Sequence, residues 1–147
     1  IPMGFVGGEV IISDAAQAIY GAEPWILGVI SSRIHMVWVR SVAGRLKTDY
    51  RYSSALCYNT FPYPNLSDSK KAEITNAILE VLSVRELYPE KTLAKLYDPD
   101  FMPDDLLAAH ESLDDIIDSC YQVKPFRGDD DRLECLFKLY EKMTRKK

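Results

Sequence analysis

Pro62 and Pro64, two residues apart in Phe61-Pro62-Tyr63-Pro64-Asn65, divide this chain into two stretches with different patterning. Neither proline can continue a helix, and each holds the residue before it extended. Downstream, from Ser67, apolar residues recur at helical spacing to the end of the chain. Upstream they do so in one stretch only. The pattern predicts two units, 1–66 and 67–147, in a chain of 147 residues, a length that suits one domain or two small ones.

The downstream unit reads as four helices joined by short turns, a small helical domain. Ser67 is placed as an N-cap, and Ile74, Ile78, Val81, Leu82 and Arg85 follow with a period of about 3.6 residues up to Pro89. Thr92 caps a short second helix through Tyr97. After the turn Asp98-Pro99-Asp100-Phe101-Met102-Pro103, Asp104 and Asp105 open a third, where carboxylates meet the positive end of the helix dipole. Its stripe is Leu106, His110, Leu113, Ile117 and Tyr121. Asp129-Asp130-Asp131 opens the fourth, with Leu133, Leu136, Phe137, Tyr140 and Met143 expected inside.

The upstream unit is expected to be β-rich around one long buried helix, which makes the fold class α+β. Gly7-Gly8 separates Phe5-Val6 from Val10-Ile11-Ile12 and reads as a hairpin turn, so the first twenty residues are expected as strands with partners elsewhere. Pro24 suits a first helical turn, and Trp25 to Ala43 reads as a helix apolar on almost every side, with Gly44 as its stop. Arg33 and Arg40 share one face of it. Leu56 to Phe61 alternates weakly, as a strand would.

Composition narrows the function classes. Hydrophobic residues make up 47% and charged residues 27%, the profile of a packed protein rather than a disordered or fibrous one. The net charge of −4 does not advertise nucleic acid, but it is unevenly spread. Residues 1–66 hold five basic groups against four acidic ones, and 67–147 hold 13 against 18. An electrostatic partner site is therefore expected upstream, and a packing role downstream. Cys57, Cys120, Cys135, His35 and His110 have no metal-ligand spacing, which argues against zinc and disulfides and favours a cytoplasmic setting. The apolar stretch Trp25 to Val42 carries Arg33, His35 and Arg40 and fails as a membrane span. No signal peptide is visible. The start at Ile1 reads as a piece cut from a longer protein.

No catalytic constellation emerges. Ser32 and His35 lie one helical turn apart, yet nothing marks either as reactive. Phosphate-cradling glycine motifs are missing. Asp104/Asp105 and Asp114/Asp115 read as helix-start or solvated carboxylates, so reversing the charge of Asp114 and Asp115 is expected to leave any base specificity unchanged. His110, on an apolar stripe, reads as a core histidine bonded to a neighbour. Pro99-Asp100 and Pro103-Asp104 lack the downstream acid-x-Lys that a magnesium-dependent nuclease would need.

The segment 40–52 stands out. Arg40, Arg45, Lys47 and Arg51 face a single acid, Asp49, inside an acidic chain. If 45–52 is extended, Arg45, Lys47, Asp49 and Arg51 share one face, and Leu46, Thr48, Tyr50 and Tyr52 the other. A charged strand edge presented to a polyanion has this form, and so does a solvated face with a local ion pair.

Several runs carry a family resemblance: Pro2-Met3-Gly4-Phe5-Val6, Ser31-Ser32-Arg33-Ile34-His35-Met36-Val37-Trp38-Val39-Arg40, Gly44-Arg45-Leu46-Lys47-Thr48-Asp49-Tyr50-Arg51-Tyr52-Ser53, Tyr58-Asn59-Thr60-Phe61-Pro62-Tyr63-Pro64, Leu96-Tyr97-Asp98-Pro99 with Met102-Pro103, Leu106-Leu107-Ala108-Ala109-His110 and Leu136-Phe137-Lys138-Leu139-Tyr140-Glu141-Lys142. Together, and in this order, they resemble the C-terminal end of MmeI-like (type IIL) single-chain restriction–modification enzymes. Asn59 to Pro64 also resembles the segment closing the target-recognition domains of type I specificity subunits. The resemblance implies a parent with an adenine-N6 methyltransferase using S-adenosylmethionine, a nuclease using Mg2+ where one is present, a target-recognition domain and a helical tail. Residues 1–66 would end the recognition domain, and 67–147 would be the tail, packed on the methyltransferase domain. The methyltransferase motifs are absent here, so this stretch is expected to bind or position double-stranded DNA without catalytic or cofactor-binding residues. Gly44-Arg45-Leu46 and Tyr50-Arg51-Tyr52-Ser53 look like the family's frame around a base-reading pair, and Lys47 and Asp49 occupy the matching places. Arg51, on the same face of an extended segment, is a candidate for a neighbouring base, and from the local charge Arg40 and Arg45 are candidate phosphate contacts. A carboxylate can accept from cytosine N4, and lysine can donate to guanine O6 and N7, so Lys47 and Asp49 suit the two members of one G·C pair. A stand-alone specificity subunit and a helical interaction domain without a DNA role remain as alternatives.

Overall fold

A computed structural model describes residues 3–13, 16–46 and 49–145, with the side chains of Arg45, Leu46 and Asp49 outside the description. The order is α1 (Pro24–Ser31), α2 (Arg33–Val42), β1 (Gly44–Leu46), β2 (Asp49–Arg51), a single π-helical turn (Ser54–Tyr58), α3 (Asp68–Glu86), α4 (Leu93–Leu96), α5 (Asp104–Tyr121) and α6 (Asp129–Thr144). The described chain is mostly helical.

The downstream helices form where the spacing put them. Ser67 Oγ accepts from the Lys70 amide at 3.2 Å, and Thr92 Oγ1 from the Lys95 amide at 3.3 Å, each satisfying an orphan donor of the first turn. Ile74, Ile78 and Val81 of α3 and Leu106, Leu113 and Ile117 of α5 are fully buried. On α6 only Leu136 is. Phe137 and Met143, expected inside, are 43% and 45% exposed, because α6 lies against the α2 edge of the bundle and leaves its outer side open.

The upstream stretch departs from expectation in three places. The first twenty residues contain no strand among those described. The Gly7-Gly8 turn is real, closed by a Val10 N–H to Gly7 carbonyl bond of 3.1 Å, but no described backbone pairs with the runs beside it, and Ile11 is 96% exposed. The expected long helix is two helices broken at Ser32, whose backbone is extended. Ser32 Oγ donates to the Val29 carbonyl at 2.6 Å and accepts from the His35 amide at 3.5 Å, so one side chain ends α1 and starts α2. The expected strand over 56–61 begins as the π-helical turn, held by an Asn59 N–H to Ser54 carbonyl bond of 2.8 Å. Coiling puts Cys57 and Phe61, four apart, on one buried side. The β-rich expectation is therefore not met. The strands described are β1 and β2, three residues each.

The two stretches share one core. Leu27, Val29, Ile30, Ile34, Trp38 and Phe61 pack into the same cluster as the apolar faces of α3, α5 and α6. At the closest approach Gly28 of α1 meets Ile74 of α3, where a Cβ would lie 2.5 Å from Ile74 Cγ2. Gly21 (φ 64°) supplies the left-handed turn that leads into α1. None of the described helices is long and apolar enough to cross a membrane.

Candidate nucleic-acid interface

The segment 44–51 forms a two-stranded antiparallel ribbon on the end of α2. Gly44 pairs with Arg51, Arg45 with Tyr50 and Leu46 with Asp49. The chain thus reverses between Leu46 and Asp49, and 45–52 is not one extended strand. Lys47 and Thr48 fall within that reversal and lie outside the described residues. Facing residues of an antiparallel pair share a side, and successive pairs alternate. The register therefore puts positions 49 and 51 on one face with 44 and 46, and position 45 on the other with 50. Arg45 does not share a face with Asp49 and Arg51, contrary to the single charged face expected for an extended segment.

Both ends of the ribbon are fixed to α2. Ala43 closes the helix by an N–H to Val39 carbonyl bond of 2.8 Å, and β1 begins at the next residue. Where β2 ends, Tyr52 brings its hydroxyl to 3.1 Å from His35 Nε2. One turn further along α2, Trp38 Nε1 donates to Thr60 Oγ1 at 3.1 Å, holding the far side of the π-helical turn. His35 is fully buried, with the Phe61 ring edge-on at 4.6 Å, and burial lowers its pKa to about 4, so it is neutral at pH 7. Tyr52 is half-buried, and burial raises its phenol well above the usual range.

The opposite flank of α2 is held by the tail. Asp114 Oδ1 of α5 accepts from the Arg33 amide at 2.7 Å and caps the first turn of α2 from another helix. Asp114 is thus not the solvated carboxylate expected, whereas Asp115 is exposed. Burial raises the Asp114 carboxyl to about 6, and the Arg33 amide offsets this only in part. Asp129, at the start of α6, takes Arg33 Nε at 2.8 Å, Arg40 Nη1 at 3.4 Å and Arg132 Nη1 at 3.3 Å. Arg132 is itself bound to Asp118 at 2.5 Å, both side chains nearly buried. Arg33 and Arg40 do share a face, and what they meet there is an aspartate of the tail. Sequence reasoning missed Asp114 and Asp129; the only signal was the spacing of the two arginines.

Arg51 contrasts with these. It is exposed, and its side chain makes no hydrogen bond or ion pair with a described side chain. Ser32 and His35 are used in capping and in holding Tyr52, not as a nucleophile and its base. His110 Nε2 lies 2.7 Å from the Tyr97 hydroxyl, which Arg85 Nε also contacts at 2.7 Å, so His110 is bonded to a neighbour as expected. Burial lowers its pKa to about 4.

A cleft of about 370 Å³ runs between α2 and α5, past Arg33, Arg40, His110, Asp114 and Asp129. In it Asp114 accepts from the Arg33 amide, and Asp129 pairs with the Arg33 and Arg40 side chains. Among the described residues no group of three His, Cys, Asp or Glu side chains could hold a metal ion.

The MmeI target recognition domain family matches residues 1–65, and the MmeI C-terminal domain family matches residues 66–146. The chain belongs to the MmeI family. It is 55% identical over 144 residues to DNA methyltransferase A of Bacillus subtilis (strain 168), covering 98% of this chain and 16% of that protein. It also superposes on a solved structure of the Type IIL restriction–modification enzyme MmeI in complex with DNA, with a TM-score of 0.81 and 44% identity, over 85% of this chain and 17% of that one. The chain thus spans about a sixth of the length of these MmeI-family relatives.

Proposed function

We propose that this chain is the DNA-reading end of a site-specific adenine-N6 DNA methyltransferase of the restriction–modification type, with its helical tail as the mount. The observation that carries the reading is the ribbon 44–51, fixed at both ends to α2 inside the stretch that matches the target recognition family. Lys47 and Asp49 are the readers of one G·C pair, Arg51 reads a neighbouring base, and Arg45 meets phosphate. The register supports that division, since position 45 is on the other face from positions 49 and 51. Arg40 ranks below Arg45 as a phosphate contact, because Asp129 already meets its charge. The recognition unit is α+β, ending near residue 66, and its partner is double-stranded DNA. Catalysis and S-adenosylmethionine belong to the remainder of a cytoplasmic parent, with Mg2+ where a nuclease is present, and the tail packs on its methyltransferase domain.

The test is a paired exchange, Lys47→Glu with Asp49→Arg, in the full-length protein, followed by mapping of methylated sites. The reading predicts a changed preference at one base pair with the rest of the site retained. Methylation persisting at the original sequence, or falling equally at every sequence, would remove Lys47 and Asp49 as readers.

A further inference from the structure

The ribbon has two strands of three residues, too little to fix its own direction in space. At its start the chain grows out of α2, and a body joined at one end can swing. At its exit stands Tyr52, half-buried, with its hydroxyl 3.1 Å from Nε2 of the fully buried His35. His35 Nδ1 is buried without a hydrogen-bond partner among the described residues. A neutral imidazole has one N–H, and a buried orphan N–H is rarer than an orphan acceptor. The proton therefore belongs on Nε2, which donates to the Tyr52 oxygen, while Nδ1 is the atom left unpaired. His35 and its helix are held from other sides. Phe61 packs edge-on to its ring, and α2 is anchored independently through the Asp114 cap, the Asp129 ion pairs and the Trp38–Thr60 bond.

We propose that His35 and Tyr52 are positioning residues for DNA reading: their bond sets the angle at which the ribbon leaves α2, and so the discrimination its reading residues achieve. This rests on the ribbon being the reader, and it adds that selectivity depends on two residues that need not touch DNA. A bidentate base contact discriminates roughly fivefold to a hundredfold against a wrong base, and it requires donors and acceptors in register with the base edge. A phosphate contact tolerates more play. Loosening the tether should therefore affect selectivity before affinity.

The experiment uses the full-length protein and two duplexes, the recognised sequence and the same sequence altered at the base pair that the Lys47/Asp49 exchange shifts. Tyr52→Phe removes one oxygen and keeps the ring. The expected result is at least a fivefold fall in the affinity ratio between the two duplexes, with ratios at base pairs outside the ribbon's reach unchanged and the protein still folded. His35→Gln places an amide N–H near the position of Nε2 and should keep the ratio, whereas His35→Leu should lose it as Tyr52→Phe does. The proposal is overturned if Tyr52→Phe leaves the ratio intact, lowers every ratio alike or unfolds the protein, or if His35→Gln loses the ratio in the same way as His35→Leu. If the exchange shifts no base preference, the ribbon reading fails first and the tether proposal falls with it. If the exchange works and Tyr52→Phe has no effect, only the tether fails.

Discussion

The flank of α2 and the ribbon that grows from its end carry charge of the same sign and use it differently. On the flank, Arg33 and Arg40 are drawn down onto Asp129 of the tail. On the ribbon, Arg51 stands exposed with no described side chain opposing it. Counting basic residues locates a half of the molecule; counterions decide which of those residues remain available to a polyanion. The same contrast explains how an acidic tail could serve the DNA-reading unit proposed above. Its aspartates hold the helix that carries the ribbon, and they spend their charge on that helix's own arginines and first-turn amide.

If flank and ribbon belong to one mechanical unit with the tail, the largest effect comes from cutting their shared core. Trp38→Ala should cost about 3–5 kcal/mol, as for other buried aromatics. It should lower the whole chain's stability in a single transition followed by circular dichroism. Two separate transitions, with α3–α6 unaffected, would break the account of a shared core.

Acid is expected to have the next effect. His35 and His110 have folded pKa values of about 4, below their unfolded value of 6.5, so the stability they contribute is present above pH 6.5 and lost as pH falls toward 4. For the fully buried His35 this amounts to ~3 kcal/mol at most. Asp114, raised to about 6, acts in the opposite sense, since its protonation relieves a burial penalty. Denaturant midpoints should therefore fall between pH 6.5 and pH 4, and Asp114→Asn should make the fall steeper. A flat profile would contradict the burial assigned to both histidines.

A smaller effect sharpens the comparison within the tail. Asp114→Ala removes the cap on α2 and should cost about 1–2 kcal/mol, whereas Asp115→Ala on the exposed side should stay within ~0.5 kcal/mol. Equal effects at both positions, measured by chemical denaturation, would mean that the cap on the Arg33 amide carries no weight. The smallest effect separates flank from ribbon in DNA binding. In the full-length protein Arg45→Ala should reduce the slope of log affinity against log salt by roughly one, and Arg40→Ala by clearly less. The reverse order would make the flank the phosphate contact.

Much of this was legible in the sequence, and the remainder failed for identifiable reasons. The tail helices and their Ser67 and Thr92 caps could be read because spacing and capping are local. His110 could be assigned a bonded role because a histidine on an apolar stripe needs a partner. Ser32 was hidden in an apolar run where helix periodicity passes through it without a gap, and only its two bonds show that it ends one helix and begins another. The residues between Leu46 and Asp49 are Lys-Thr, not the Asn-Gly or Asp-Gly that favour a tight hairpin, so nothing local marked the reversal. Strand-like residues near the start look the same with or without a partner backbone, and pairing is a tertiary fact. Asp114 and Asp129 are 81 and 96 residues from Arg33, beyond the reach of any local pattern.

Amide hydrogen exchange on the full-length protein, with and without its recognised duplex, tests most directly whether the ribbon is what meets DNA. The account predicts that duplex slows exchange across 44–52, while the exposed sides of α5 and α6 exchange at the same rate in both states. Protection on α5 or α6 with none across 44–52 would contradict it.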